Sequence, residues 1–212
     1  MSEGSHSAAF LTGARRILDA LEPAALDAMA EALAALRDRG GRLFLLGVGG
    51  GAAHASHAVC DFRKIAGIES YSPVDNVAEL TARVNDEGWD GVFAEYLRGS
   101  RLGPADGVFV FSVGGGSVEP RVSANLVEAV AYAKTVGATV FGVVGRDGGY
   151  TARVADHCVV IPPVDPARVT PQTEAFQALV WHLLVSHPTL QRHGMKWESL
   201  AEPRSEGRVP AR

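Results

Sequence analysis

The sequence predicts an α/β protein in which helices cover both faces of a parallel sheet of five strands. Short apolar runs of strand length alternate along the chain with longer segments whose apolar residues recur at helical spacing. Such alternation is typical of parallel sheets, because each strand needs a crossover connection to reach the next. Glycine-rich turns follow the first and third apolar runs, at positions where open α/β sheets bind ligands.

Size, composition and charge narrow the possible functions. The chain has 212 residues, 47% of them apolar and 21% charged, which predicts one soluble domain with a substantial core. A formal charge of −4 gives no electrostatic attraction to nucleic acid or to an anionic membrane. We therefore expect neither as a partner, and any bound phosphate must be held by local donors.

Cysteine content and hydropathy bear on cellular location. The chain has two cysteines, Cys60 and Cys158, which we interpret as buried free thiols in a reducing cytoplasm rather than as a disulfide. No apolar run approaches the length of a membrane helix, and the N-terminus lacks the apolar core of a signal peptide. The sequence therefore predicts a cytoplasmic protein.

The first predicted element is a pair of helices. Residues 8–39 are rich in alanine, leucine and arginine with apolar residues at helical spacing, and Pro23 marks the start of the second helix. Their long apolar face either packs against another subunit or caps the sheet. We divide the single predicted domain into these N-terminal helices (residues 1–39), the sheet core (residues 40–187) and a C-terminal tail (residues 188–212).

The sheet core follows as short strands separated by helices. The predicted strands are 42–46, a short strand within 65–72, 107–112, 139–144 and 158–161. The predicted helices start near residue 52 and then cover 78–84, a segment around 92–97, 121–136 and 173–186. A polar turn, Asn85–Trp89, separates the second and third of these helices.

The first glycine-rich turn, residues 47–51, connects the first strand to a helix. Glycine accepts a positive φ and lets a ligand approach the backbone, and the free N–H groups at the start of the helix attract anions. The candidate ligand-binding residues of this turn are Gly49, Gly50 and Gly51. The pattern Gly47-x-Gly49-x-x-Ala52, with Glu69 further on, also fits the fingerprint of dinucleotide-binding domains. A nicotinamide-dependent oxidoreductase is therefore a rival hypothesis, although the short chain leaves little room for its substrate domain.

A second glycine loop follows the third strand, and the rival hypothesis does not explain it. The loop contains Ser112, Gly114, Gly115, Gly116 and Ser117. Two such loops on neighbouring strands can hold one phosphate through backbone N–H groups and two hydroxyls. A plain strand-to-helix turn is the alternative, but a single glycine would serve that purpose, so we favour the anion site.

Polar side chains on two helices carry the candidate chemistry. His57 and Asp61 are four residues apart and therefore lie on one side of the first core helix. In the last helix, Glu174 and His182 share one ridge. If that ridge faces the first core helix, two imidazoles and two carboxylates converge and could act as acid–base pairs or bind a divalent metal such as zinc. A structural role for the histidines is the alternative.

These features together resemble the sugar isomerase (SIS) domain family and, within it, the phosphoheptose isomerases, which act on sedoheptulose 7-phosphate. The likeness covers about residues 10–187. It includes the N-terminal helices and the glycine turn followed by His57. Its other motifs are Asn85-Asp86-x-Gly88, the loop 112–117, the turn 145–149 and the last helix with His182.

The resemblance implies a three-layer flavodoxin-like fold and a homotetramer, or a dimer, with active sites between subunits. It implies an aldose–ketose isomerase of a seven-carbon sugar phosphate that works through an enediol and needs no nucleotide cofactor. The family's proton-transferring residues match Asp61 and His182. The zinc ligands of some members match His57, Asp61, Glu174 and His182. Substrate contacts are implied at Asn85, Asp86, Ser112 and Ser117, beside the glycines of both loops.

The chain departs from the family's pattern at several of these positions. Asp61 is one methylene shorter than the family's Glu, Gly51 replaces a serine, and Glu174 replaces a glutamine. The family's Ser-Thr-Ser-Gly-Asn-Ser run has lost three side-chain donors in residues 112–117. Because an added carboxylate suits a divalent metal, the sequence favours a metal-dependent variant of the isomerase. A non-catalytic SIS module that binds a sugar phosphate or scaffolds a partner is the alternative.

Overall fold

Five parallel strands form one sheet in the computed structural model, which describes residues 5–194. The strands are β1 (Leu43–Gly47), β2 (Ser70–Tyr71), β3 (Gly107–Ser112), β4 (Thr139–Val144) and β5 (His157–Val160). Their order across the sheet is β2-β1-β3-β4-β5, and every neighbouring pair is parallel. The predicted α/β class and all five predicted strands are confirmed, each to within a few residues. From residue 195 onward, the predicted C-terminal tail lies outside the described residues.

Helices cover both faces of this sheet. They are α1 (His6–Ala20), α2 (Pro23–Asp38), α3 (Gly50–Asp61), α4 (Val77–Gly99), α5 (Ala124–Thr135), α6 (Gly149–Val154) and α7 (Val169–Ser186). Alternation along β1 divides the core, since successive side chains of a strand point to opposite faces. Leu43 and Leu45 join a cluster with α2, α3 and α7, whereas Phe44 and Leu46 join a cluster with α4 and α5.

The N-terminal helices follow the sequence pattern closely. Pro23 is the first residue of α2, where its missing N–H costs nothing, and Leu33 and Leu36 of that helix are fully buried against the sheet. On α1, Ile17 is buried but Leu11 and Leu18 remain 57% and 49% exposed. The pair therefore caps one face of the sheet and still presents apolar side chains on its outer side.

Two helices differ from the prediction. The predicted polar turn at Asn85–Trp89 is only a kink, because Gly88 alone leaves helical geometry (φ 80°, ψ 163°) and α4 continues on both sides of it. A glycine can adopt this conformation without interrupting the chain for longer. The short helix α6 was not predicted, since six residues after a glycine turn carry too little periodicity.

The connections place the ligand-binding edge between β1 and β3. The helix after β1, α3, lies on one face of the sheet, whereas the helix after the adjacent β3, α5, lies on the other. A crevice therefore opens at the carboxyl ends of these two strands, which is where open α/β sheets bind ligands. Both glycine loops lie at this edge.

Candidate active site

Helices α3 and α7 lie side by side and run in the same direction. Gly50, at the start of α3, lies against Glu174, and His57, about two turns further on, faces His182. The ridge of α7 that carries Glu174 and His182 therefore faces α3, which is the condition on which the predicted cluster depended. The two contacts lie roughly 10 Å apart along α3, given 1.5 Å of rise per residue.

The second contact, where His57 faces His182, brings together three potential ligands. One ligand atom from each of His57, Asp61 and His182 lies within 4.8 Å of the other two. His57 Nε2 is 4.0 Å from Asp61 Oδ2, and the two imidazole centroids are 5.7 Å apart. The Asp61 side chain is 8% exposed while that of His57 is 61% exposed, so the group is open to solvent on one side.

Asp61 carries an unusual buried atom. Its Oδ2 is buried and has no hydrogen-bond partner among residues 5–194. Burying a carboxylate oxygen without a partner is costly, and native structures rarely tolerate it without a reason. A metal ion or a substrate proton would supply the missing interaction, so the orphaned oxygen points to a ligand.

His182 is held in one orientation by its own helix. Its Nδ1 lies 2.7 Å from the carbonyl oxygen of Ala178, which can only accept a hydrogen bond. Nδ1 therefore donates to this carbonyl, and the hydrogen bond fixes the orientation of the ring. The ring of Trp181 stacks on that of His182 and meets the ring of His57 edge-on at 4.7 Å between centroids. Trp181 and its neighbour Gln177 are fully buried.

Glu174, the fourth predicted ligand, is not brought into this group. A Cβ atom built on Gly50 would lie 2.5 Å from Glu174 Cδ and 2.6 Å from its Oε2, so the carboxylate occupies the space above the first turn of α3. His54 lies one helical turn after Gly50 and is partly buried. Burial lowers the pKa of His54, and the charge of Glu174 opposes that shift. Glu174 thus belongs to the contact with Gly50, beside the first glycine loop. The sequence could not predict this position for Glu174, because a glycine does not indicate which group occupies the space beside it.

The first glycine loop is shaped as its sequence predicts. Gly49 has a φ of 59°, and a Cβ on it would meet nothing within 4 Å, so it is open to a ligand. Gly51 instead faces the backbone of Phe111 on β3, where a Cβ could not fit. Of the three predicted ligand-binding glycines, Gly49 is therefore open, Gly50 is covered by Glu174 and Gly51 is needed for helix–sheet packing.

The second glycine loop is tied to the turn that follows β4. Thr151 donates two hydrogen bonds to the carbonyl of Gly115, one from its backbone N–H and one from its hydroxyl, and Tyr150 N–H donates to Gly116. Gly115 and Gly116 have φ values of 67° and 77°, and a Cβ on Gly115 would collide with the backbone of Gly148. These two glycines are thus required by packing. Gly114 has more room, since the nearest atom to a Cβ there is Arg146 Cδ at 4.0 Å.

Both predicted phosphate-binding hydroxyls make hydrogen bonds inside the second loop. Ser112 Oγ accepts from Gly115 N–H at 3.0 Å, and Ser117 Oγ donates to the carbonyl of Glu119 at 3.1 Å. The loop is therefore ordered by its own donors. A ligand would have to share these hydroxyls with the bonds that shape the loop.

Asn85 and Asp86 lie in α4 just before its kink and not in a turn. Both are exposed, and Asn85 Nδ2 donates to Asp86 Oδ1 at 2.7 Å. Because α4 belongs to the cluster on the opposite face from α3 and α7, these two side chains are on a different layer from the candidate ligand group.

The dinucleotide-binding hypothesis is not supported by the position of Glu69. The carbonyl of Glu69 accepts from Leu43 N–H at the beginning of β1, whereas the glycine loop follows Gly47 at its end. At about 3.3 Å per residue, the two lie roughly 13 Å apart along the sheet. A ribose-binding acid has to lie beside the loop, so Glu69 does not serve that role; its carboxylate accepts instead from the Tyr71 hydroxyl.

The cysteines are partly as predicted. Both are free thiols, but Cys60 is exposed and only Cys158 is largely covered. Cys60 lies on the outer side of α3, where helical geometry turns it away from the face that carries Ala58 and Asp61. Among residues 5–194, no helix has both the length and the apolar character needed to cross a membrane.

Comparison with known proteins agrees with this architecture. Residues 9–145 match the model of the SIS domain family. A phosphoheptose isomerase of Rhodospirillum rubrum is 31% identical over 167 residues, which are 76% of this chain and 82% of that protein. The phosphoheptose isomerase of Mycobacterium tuberculosis is 33% identical over 153 residues, covering 66% and 74% of the two chains. The lincomycin biosynthesis protein LmbN of Streptomyces lincolnensis is 35% identical over 184 residues, but the match spans only 66% of LmbN against 84% of this chain.

Solved structures give the same result. Phosphoheptose isomerase GmhA from Neisseria gonorrhoeae has a TM-score of 0.70 and 26% identity, with 85% of this chain and 92% of that chain covered. A phosphoheptose isomerase from Francisella tularensis has a TM-score of 0.69 at 20% identity, and shows the shared fold.

The crevice at the switch of strand order and the polar group beside it define an α/β protein that acts on a small ligand. The particular family follows from the comparisons: the chain belongs to the SIS domain family. Its similarity to phosphoheptose isomerases in sequence and structure confirms the predicted enzyme class, an aldose–ketose isomerase.

Proposed function

We propose that this isomerase interconverts sedoheptulose 7-phosphate and the corresponding aldose 7-phosphate through an enediol. The observation that carries the proposal is the meeting of His57, Asp61 and His182 in one partly open group between α3 and α7. The names of the phosphoheptose isomerase relatives support the substrate class.

The reaction needs a base at carbon and a proton carrier between two oxygens. In the ketose-to-aldose direction, a proton leaves C1 and the C2 carbonyl oxygen gains one, which gives the enediol; the C1 hydroxyl then loses its proton and C2 receives one. We assign the carbon-bound proton to Asp61, whose buried Oδ2 has lone pairs that no described group occupies. We assign the transfer of the oxygen-bound proton to His182, because its hydrogen bond to Ala178 fixes the ring beside Asp61 and imidazole is the commonest proton carrier in such reactions.

In a metal-bound state, the same three residues would hold a divalent ion through the atoms that otherwise exchange protons. Two imidazole nitrogens and one carboxylate oxygen are a donor set that zinc uses in catalytic sites, with a further position left for substrate. A metal-binding histidine commonly donates its second ring N–H to a backbone carbonyl, as His182 does to Ala178. A zinc ion held by His57, Asp61 and His182 would polarise the oxygens of the substrate. We do not include Glu174 in this proposed set, because its carboxylate lies against Gly50.

The test is an isomerisation assay with purified protein and sedoheptulose 7-phosphate. It is run after chelation and after zinc is added back, alongside Asp61→Asn. We expect turnover that falls at least about a hundredfold in Asp61→Asn, the usual contribution of an acid–base group. Full activity after complete metal removal, confirmed by elemental analysis, would refute the metal but not the acid–base assignment. No turnover in either metal state would refute the proposed activity on this sugar.

A binding module without catalysis is the second candidate. The observation in its favour is that Asp61 stands at the position of the family's proton-transferring Glu but is one methylene shorter, so its carboxylate reaches less far toward a bound sugar. Calorimetry with sedoheptulose 7-phosphate separates the two functions, because tight binding without turnover in either metal state would favour the module.

Assembly and location complete the proposal. We propose a homotetramer or a dimer in which α1 contributes to the contact, because Leu11 and Leu18 are exposed on that helix. Light scattering on the purified protein and on Leu18→Glu measures this. The free thiols Cys60 and Cys158 support a reducing compartment, the cytoplasm.

A further inference from the structure

The imidazole of His57 is the most exposed member of the candidate ligand group, with 61% of its side chain accessible. Among residues 5–194 it makes no hydrogen bond, since Asp61 Oδ2, at 4.0 Å from its Nε2, is too distant for one. His182, by contrast, is fixed by its bond to the carbonyl of Ala178. Exposed side chains change rotamer within nanoseconds, so His57 needs another contact to stay directed at its two partners.

Trp181 supplies that contact. Its ring meets the ring of His57 edge-on, with 4.7 Å between the centroids and 66° between the planes. Aromatic pairs in this geometry are favourable beyond the area that they bury. The same indole stacks on His182 with 3.4 Å between centroids, and it is fully buried in α7. It is therefore a rigid surface against which the exposed imidazole packs.

The N–H group of this indole destabilises the fold. Trp181 Nε1 is buried and has no hydrogen-bond partner among the described residues. A buried donor without a partner costs free energy, whereas a phenylalanine or a leucine at the same position would bury no donor. Packing of the core alone does not account for a tryptophan here. An aromatic surface large enough to contact both imidazoles does.

We propose that Trp181 is a positioning residue, which holds the imidazole of His57 in the orientation that directs it at Asp61 and His182. Because Trp181 is fully buried, it acts through His57 and not on the substrate. The orienting role depends only on the ring contacts. Its effect on turnover rests on the proposed function, in which the group of His57, Asp61 and His182 carries the reaction.

The test measures the order of the two imidazoles by nuclear magnetic resonance relaxation of the full-length protein with 13C-labelled histidine, after chelation of metal. The variants are Trp181→Leu, which removes the ring, and Trp181→Phe, which keeps a smaller one. We expect the order parameter of His57 to fall below about 0.6 in Trp181→Leu, a value typical of mobile groups, and to be intermediate in Trp181→Phe. His182 should keep its order in both variants, since its hydrogen bond to Ala178 remains.

Phe176→Leu is the matched control. Phe176 is a buried ring of the same helix, and among the described residues it does not contact His57. Its replacement should leave the order of His57 unchanged. Turnover is a second readout: Trp181→Leu should lower kcat by about two- to tenfold, the weight of one aromatic contact, with little change in KM and a smaller loss in Trp181→Phe.

Three results would overturn the inference. The first is a His57 that is as ordered in Trp181→Leu as in the unchanged protein. The second is an equal loss of order at His57 and His182, which would show a general loosening of α7, and the third is the same loss at His57 in Phe176→Leu. If Trp181→Leu does not fold, Trp181→Phe decides, and full order of His57 in that variant refutes the role. Absence of turnover in the unchanged protein would refute the proposed function and would leave the result on the order of His57 standing.

Discussion

Replacing Asp61 by asparagine should lower isomerase turnover by at least about a hundredfold and leave the free energy of unfolding unchanged or increased. The side chain is 8% exposed and its Oδ2 has no hydrogen-bond partner among the described residues. His57 Nε2, at 4.0 Å from this oxygen, is too far away to hydrogen-bond to it. A buried carboxylate oxygen without a hydrogen bond destabilises the folded state, and a neutral amide of the same shape costs less to bury. Asp61 is therefore expected to cost stability and to be kept for chemistry.

Asp106 is the matched control, because it is buried to the same extent, with 6% of the residue exposed in both cases. Its carboxylate accepts from Arg42 Nη2 at 2.8 Å, from Arg42 N–H at 2.9 Å and from Gly103 N–H at 3.0 Å. A hydrogen bond to a charged group contributes about 1.5–3 kcal/mol, so Asp106→Asn should lose roughly that amount or more of its unfolding free energy. Asp106 lies before β3, at the edge of the sheet opposite to the glycine loops. The folded fraction of Asp106→Asn should therefore keep full turnover.

The two variants are compared by urea unfolding and by turnover per folded molecule. The reasoning requires opposite outcomes: Asp61→Asn inactive and stable, Asp106→Asn active and destabilised. An Asp61→Asn protein that loses as much stability as Asp106→Asn, or that keeps its turnover, would show that Asp61 is a structural residue and that the orphaned oxygen has a partner we have not identified.

Three further predictions follow from single contacts. Although burial raises the pKa of Asp106, its hydrogen bonds hold that pKa below the ordinary value of 3.8. The stability that the Asp106 carboxylate supplies is therefore present above this value and is lost as the pH falls below it. Acid unfolding of Asp106→Asn should consequently depend less on pH in that range than acid unfolding of the unchanged protein. Gly115→Ala should lose about 1–3 kcal/mol or more in urea unfolding, because φ is 67° and the Cβ meets backbone, whereas Gly114→Ala should lose little. Iodoacetamide should modify exposed Cys60 well before Cys158, because burial raises the pKa of Cys158 to about 11. Mass spectrometry of the peptides measures the two rates of modification, and equal rates would contradict the prediction.

Much of the architecture could be predicted because it depends on local periodicity. The strands of the sheet are continuous apolar runs, and the helices between them carry an apolar stripe, so both signals stand out along the chain. The pair His57 and Asp61 could be placed on one face from their spacing alone, because the helix fixes it. The kink at Gly88 was overestimated as a full turn, since sequence shows a helix breaker but not how far its effect extends.

The parts that could not be predicted depend on contacts between distant segments. Nothing in the sequence says that Gly50 makes room for Glu174, or that Gly115 is required by the backbone of Gly148. A glycine next to a predicted ligand site looks the same whether it admits a ligand, a side chain or another stretch of backbone. The run of three glycines was read wholly as a cradle for an anion, yet Gly114 has the most room for a ligand and the other two are needed for packing.

The departures from the family pattern lie in both glycine loops and in the polar group. Gly51 replaces the family's serine, and a Cβ at that position would collide with the backbone of Phe111, so packing requires glycine there. The second loop has lost three of the family's side-chain donors but keeps Ser112 and Ser117, and both shape the loop through their own hydrogen bonds. Asp61 is shorter than the family's Glu, yet it still meets His57 and His182 in one group. Packing therefore explains what the loops keep but not the polar group, whose exposed side and orphaned oxygen fit a ligand instead.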